Sequence, residues 1–270
     1  MISLKRAYLS IILLFLYAPI ATLIIFSFNA HRSRGAWGGF SLDWYRQLFS
    51  NPAIVQALNN TLMIALISAF VSTVIGTIAA LGVVAMKKNT RRVILNLNSI
   101  PVLNPEIVTG ISLRIFFLFV INAFGGRGSL GFTTLILAHI TFNICYVMLS
   151  VLPKVRALDS SIYEAARDLG ATPFSAFWKV IMPQLWPGVV TGFILAFTLS
   201  LDDFIISFFT TGAGVNTLSI YIYTSTRLGV SPEVNALSTL MFVALMLLLF
   251  IVHRRDQREL RKNKRIKERV

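Results

Sequence analysis

The chain has 270 residues, 56% of them hydrophobic and 13% charged, with a mean hydropathy of +0.73. That excludes an ordinary soluble domain and leaves an integral membrane protein. One cysteine, Cys145, excludes an internal disulfide and argues against a metal site, and the net charge of +14 is distributed in a way that argues against nucleic acid.

Lys5 and Arg6 precede an apolar run over 7–28, long enough to cross a bilayer. A cleavable leader has a shorter apolar region and a small-residue cleavage site, so a retained first helix is expected. Residues 31–60 are polar and aromatic, and Trp37, Trp44 and Tyr45 suit a helix at the water–lipid boundary. The run 61–86 is a second span. Its Ser68, Ser72, Gly76 and Ala80 recur at four-residue steps, a small-residue stripe that predicts close helix packing.

Lys87, Lys88, Arg91 and Arg92 form a short basic loop before an apolar stretch over 94–124. That stretch is too long for one ordinary span, and Pro101 and Pro105 interrupt it near Asn98, Asn104 and Glu106. Broken backbone at membrane depth is tolerated where it faces protein or a wet cavity. Residues 125–128 predict a tight external turn around Gly126, and a fourth span follows over 130–152.

The segment 158–187 is polar enough to lie outside the bilayer yet reads as folded helix. Ser161 is the expected N-cap, with Glu164 closing a capping box. Ile162, Ala165, Ala166 and Leu169 share one helix face. Gly170 is expected to end that helix in a left-handed C-cap. Thr172 then caps a second short helix with Pro173 at its first position, and Phe174, Phe177, Trp178 and Ile181 give it an apolar side. Pro183 and Pro187 are expected to punctuate the way into a fifth span over 185–209. An outer loop over 210–235 holds a short helix at 218–227, and a sixth span runs over 236–252. The tail, 253–270, is expected to fray.

Periodicity alone leaves this hairpin as a helical pair lying on the membrane. Its residues say more. Glu164-Ala165-Ala166, three residues, Gly170, nine residues, then Val180, Met182 and Pro183 resembles the EAA loop of the permease subunits of binding-protein-dependent ABC importers. The family form is EAA, three residues, G, nine residues, I, one residue, LP, from which this chain departs only in Val180 and Met182. The resemblance implies an all-α integral membrane protein of six transmembrane helices with a cytoplasmic coupling hairpin, the type I ABC importer permease fold. It would be a single permease domain over 1–252, with the coupling loop at about 153–184 and a basic tail over 253–270. It also implies that Glu164, Ala165, Ala166, Gly170 and Pro183 dock a cytoplasmic ATPase. Two alanines permit close approach, a carboxylate offers registry, and a glycine fixes the bend.

Six spans put both termini on one side. If that side is the cytoplasm, nineteen of the twenty-five Lys and Arg lie inside, as the positive-inside rule requires. The tail then reads as an orientation signal near anionic lipid. The expected location is the bacterial cytoplasmic (inner) membrane.

No G-x-x-x-x-G-K-[ST] occurs, so ATP is not expected to bind here through a P-loop. His31, His139 and His253 are dispersed without metal-ligand spacing. His139, in the fourth span, is expected to bond a neighbouring helix, with a proton relay as the alternative. No catalytic constellation stands out, which predicts a non-catalytic subunit without a cofactor of its own, ATP and Mg belonging to the ATPase.

Asp202 and Asp203 fall inside the fifth span and Glu106 inside the third stretch. Ionisable groups there default to a functional hypothesis. Residue counting puts Glu106 near the midplane and Asp202 in the outer half. A structural reading, in which the carboxylates meet a partner's Arg or Lys or Glu106 neutralises Arg114, stands beside a substrate-path reading. If helical, the two aspartates point about 100° apart, and Asp202 is the favoured lining residue. The stretches 105–113, 200–209 and 229–239 are similar to the spermidine/putrescine branch of these permeases, of the PotC type. That resemblance implies a second permease subunit, an ATPase dimer, an external binding protein and a polyamine substrate. An iron complex or inorganic anion is the alternative solute, and a self-assembling channel or membrane-embedded enzyme the alternative class.

Overall fold

The computed structural model of the protein describes residues 2–31, 36–124, 129–228 and 232–267. The turn around Gly126 and the residues Gly229, Val230 and Ser231 lie outside the described residues. Twelve α-helices are described, with no strand beyond an isolated bridge between Asn29 and Phe40. Six helical segments are long and apolar enough to cross a membrane: Tyr8–Ser27, Pro52–Ala85, Glu106–Ala123, Phe132–Arg156, Pro173–Asp202 and Pro232–Arg254. They follow the six runs of the sequence in order, with different limits for the third and fifth.

The chain divides into two compact units. The first comprises residues 1–59 and 216–249. It contains α1 (Ile2–Ser27), α2 (Asp43–Ser50), the start of α3 (Pro52–Ala85), α11 (Leu218–Leu228) and the first half of α12 (Pro232–Lys267). Here the aromatic segment is half folded into the unit rather than laid on its surface. Trp44 is buried and its indole N–H donates to the carbonyl of Asn29 at 2.7 Å, and Tyr45 and Ser27 share a hydroxyl bond of 2.7 Å. Asn51 donates to Glu233 at 2.9 Å, which joins α2 to α12.

The second unit, residues 60–215 and 250–270, holds the core of the spans. Its helices are the rest of α3, α4 (Lys88–Leu103), α5 (Glu106–Ala123), α6 (Phe132–Arg156), α7 (Ser160–Asp168), α8 (Pro173–Ala176), α9 (Met182–Asp202), α10 (Ile205–Thr210) and the second half of α12. The small-residue stripe does what its spacing predicts. Ser68, Ser72 and Ala80 are fully buried, and a Cβ on Gly76 would lie 2.8 Å from Val147 of α6. A Cβ on Gly192 of α9 would meet the same Val147 side chain at 3.3 Å. Val147 is therefore clasped between two glycine faces, and Ala80, Val83, Val151, Leu185 and Val189 continue that core.

Four expectations need correction. Pro101 does not interrupt the stretch over 94–124 but lies inside α4; the stretch breaks, as expected, at Pro105, which cannot donate to the ladder and disfavours helix at Asn104, extended at ψ 144. The span is α5 alone, and α4 lies outside it. The fifth span ends at Asp202 rather than running to 209. Asp203 is extended (φ −63, ψ 128), and its carboxylate takes the backbone N–H groups of Ile206 and Ser207 at 3.2 and 2.7 Å. A side chain that bonds the backbone locally competes with the helix ladder and starts a new helix. Pro183 and Pro187 do not separate the hairpin from the span either. A π turn, Phe177–Ile181, joins α8 to α9 without a break, closing on a bond from the Met182 N–H to the Phe177 carbonyl. The wider turn resets the ladder just before Pro183, the residue with no N–H to give. Finally, α12 does not fray at 253 but continues to Lys267. No Gly or Pro interrupts it after Pro232, its residues are good helix formers, and Arg254 lies over the Phe250 ring at 4.7 Å.

Candidate functional site

The hairpin has the geometry that its glycine and threonine predict. Gly170 is at φ +84, and α7 ends in a Schellman arrangement: Gly170 N–H donates to Arg167 and Ala171 N–H to Ala166, at 3.0 and 3.1 Å. Thr172 accepts the Ser175 N–H at 3.2 Å, with Pro173 next to it at the first helical position. The amino-terminal cap differs from expectation. Asp159, not Ser161, is the N-cap and accepts the Ser161 N–H at 3.0 Å, so Ser161 lies inside the helix and Glu164 closes no capping box. A carboxylate is the stronger acceptor at a helix start. That bond holds the exposed Asp159 carboxyl below its ordinary range.

Glu164, Ala165 and Pro183 are exposed and Ala166 half-buried. Ile162 and Leu169, 41% and 90% exposed, leave the shared apolar face of α7 open. The hairpin thus presents a small-residue, partly apolar surface with Glu164 on it and a fixed bend at Gly170.

The second cluster forms where three helices end. Glu106 opens α5, Asp202 closes α9 and Asp203 caps α10. The three carboxylates lie within range of one another's charge, and Tyr146 is within range of Glu106. Residue counting had set Glu106 and Asp202 at different depths; the two helix breaks bring them together. The two aspartates have different surroundings. The Asp203 side chain is 6% exposed and stands 3.6 Å from His139 Nε2, while Asp202 is exposed. His139 also bonds Ser207 at 3.0 Å, the neighbouring-helix bond expected of it. Arg114 does not neutralise Glu106. Its guanidinium donates to the Phe209 carbonyl at 3.1 Å, at the carbonyl end of α10, where a cation suits the helix dipole. Among the described residues neither Glu106 nor Asp202 has an ion-pair partner.

Sequence reasoning singled out His139 on α6 but not Asn143, Tyr146 or Ser150. Asn143 donates to Ser200 at 2.6 Å, Ser200 and Ser68 share a bond of 3.0 Å, and Ser150 donates to the Gly188 carbonyl at 3.3 Å. Residues 139, 143, 146 and 150 recur at i, i+4, i+7 and i+11, a polar stripe in an apolar span that was there to be read.

Comparison with known proteins agrees with this architecture. Residues 72–262 match the family described as binding-protein-dependent transport system inner membrane component. The chain is 39% identical over 238 residues to the putrescine transport system permease protein PotI of Escherichia coli (strain K12), covering 88% of this chain and 85% of that one. It is 36% identical over 256 residues to the spermidine/putrescine transport system permease protein PotC of Haemophilus influenzae, covering 94% and 97%. Among solved structures it resembles a bacterial ABC transporter involved in the import of the acidic polysaccharide alginate, with a TM-score of 0.72 at 19% identity over 94% of this chain and 95% of that one. A multi-pass, all-helical chain with this match along most of its length belongs to the family of inner membrane components of binding-protein-dependent transport systems.

Proposed function

We propose that this permease subunit moves polyamine cations into the cell as half of the membrane path of an ATP-driven importer. The observation that carries the reading is the exposed Asp202 beside Glu106 at a convergence of helix ends. The carbonyl end of α9 adds its partial negative charge to that of Asp202, so the break attracts cations. Relatives at 36–39% identity are named for putrescine and spermidine transport. An inorganic anion finds no welcome beside three carboxylates. Asp203 supports the path from behind by fixing the start of α10.

In this reading a cytoplasmic ATPase dimer binds ATP and Mg and docks on Glu164, Ala165, Ala166, Gly170 and Pro183. A second permease subunit completes the path, and an external binding protein delivers the solute. Both termini face the cytoplasm. Closure of the ATPase dimer shifts the hairpin, and the hairpin shifts the helices it joins.

The test is uptake of labelled putrescine and spermidine, with complex yield measured alongside, for Asp202→Asn and Glu106→Gln. The amides keep shape and lose charge. Loss of one charge-assisted contact to an ammonium lowers uptake about tenfold at normal yield. Unchanged uptake in both variants overturns the carboxylate path.

A further inference from the structure

At the opposite end of α9 from Asp202, the second unit carries a cleft of about 620 Å³ whose lining is almost wholly apolar. One wall is α3, including Phe70, Ile78 and Leu81. The other is the π turn and α9, including Trp178, Trp186 and Phe193. This volume lies in the range of about 300–1,000 Å³ typical of small-molecule sites. The cleft lies within two membrane-spanning segments, so hydrocarbon is its natural content.

The rim distinguishes it from a plain lipid-facing surface. Helices α3 and α9 run antiparallel: Ser68 meets Ser200, while Ala80 and Val83 share a core with Leu185 and Val189. The cleft end bounded by Leu81 and Trp178 is therefore also the end at which α3 gives way to Lys87, Lys88, Arg91 and Arg92. Helix α3 ends at Ala85, about one turn past Leu81, and Lys87 follows two residues later. Lys179 directly follows Trp178 on the other wall. Lys87, Lys88, Arg92 and Lys179 are exposed, and none of the five cations has an ion-pair partner among the described residues. An apolar slot whose two walls each run, towards the same end, into basic residues is complementary to an amphiphile with an anionic head. Basic pockets between spanning helices are a recognised way of holding anionic phospholipid headgroups.

We propose that this cleft is a binding site for an anionic phospholipid, with an acyl chain between α3 and α9 and the phosphate head between Lys179 and the 87–92 cluster. The lipid seats against the π turn, at the root of the hairpin, and the site is separate from the acidic cluster.

The test is native mass spectrometry of the full chain released from nanodiscs of equal phosphatidylglycerol and phosphatidylcholine. The wild type retains phosphatidylglycerol in preference. Lys88→Gln and Lys179→Gln, at exposed positions, each lower that preference by about fivefold, as expected for one surface cation. Ile78→Trp, which fills the cleft from its 65% exposed edge, releases the lipid while leaving yield unchanged. A benzophenone side chain in place of Val190 cross-links to lipid. Equal retention of the two lipids, retention unaffected by Ile78→Trp, or capture of a second permease chain by the benzophenone overturns the proposal.

Discussion

The carboxylate of Asp203 accepts two backbone N–H groups and faces His139 from a nearly closed pocket, whereas Asp202, one residue earlier, is exposed. Asp203→Ala removes a cap worth about 1 kcal/mol and exposes two orphan donors, so the melting temperature of the purified protein falls. Asp202→Asn leaves it unchanged. Asp159 gives a separate prediction in pH. Its folded-state carboxyl is held low by the Ser161 N–H, so the cap is complete above the ordinary carboxylate range and is lost as pH falls through the lowered value. Amide protection at Ser161 and Ile162, corrected for intrinsic exchange, drops in that acid window and is already low in Asp159→Ala at neutral pH. Neither capping role was legible in the sequence. Asp159, Ser160 and Ser161 are all good caps, and the choice among them rests on the path of the chain out of α6.

At the scale of elements, hydropathy alone located the spans, because a helix in hydrocarbon needs a long apolar run and little else. Pro105 announced the break before α5. The break after Asp202 was hidden, because Phe204 to Phe209 continue the apolar run and the capping of α10 depends on a side chain held by His139 of another helix. The hairpin bend was legible through Gly170 itself. Its φ of +84 suits only glycine without cost, although the space around it is open. Gly170→Val carries a backbone penalty of about 1–2 kcal/mol with no clash, and Gly170→Asn less. We expect both to insert normally and, if the hairpin docks an ATPase as proposed, Gly170→Val to capture less of that ATPase than the wild type does. Glu164→Lys reverses the surface charge and is expected to weaken the same capture. Gly76 is the contrary case. A side chain there drives into Val147, so Gly76→Val lowers folded yield through about 1–3 kcal/mol of overpacking.

For the whole molecule, the distribution of Lys and Arg predicts that a reporter fused after Val270 is active in the cytoplasm and one at Gly126 outside it; the reverse pattern would refute the assigned orientation. The uninterrupted helical segment from Pro173 to Asp202 has a mechanical consequence. It is a rod of 30 residues, roughly 45 Å long, with the Gly170 bend at one tip and the Asp202 carboxylate at the other. Val147, gripped between Gly76 and Gly192, keeps it from sliding against its neighbours. In the proposed coupling, displacement at the bend is spent on swinging the rod about that grip, and a tilt of about 5° moves one tip relative to the other by roughly 4 Å over this length. Under that proposal, thrust at the hairpin and the position of the acid are two ends of one lever, with the π turn as a joint near the hairpin end.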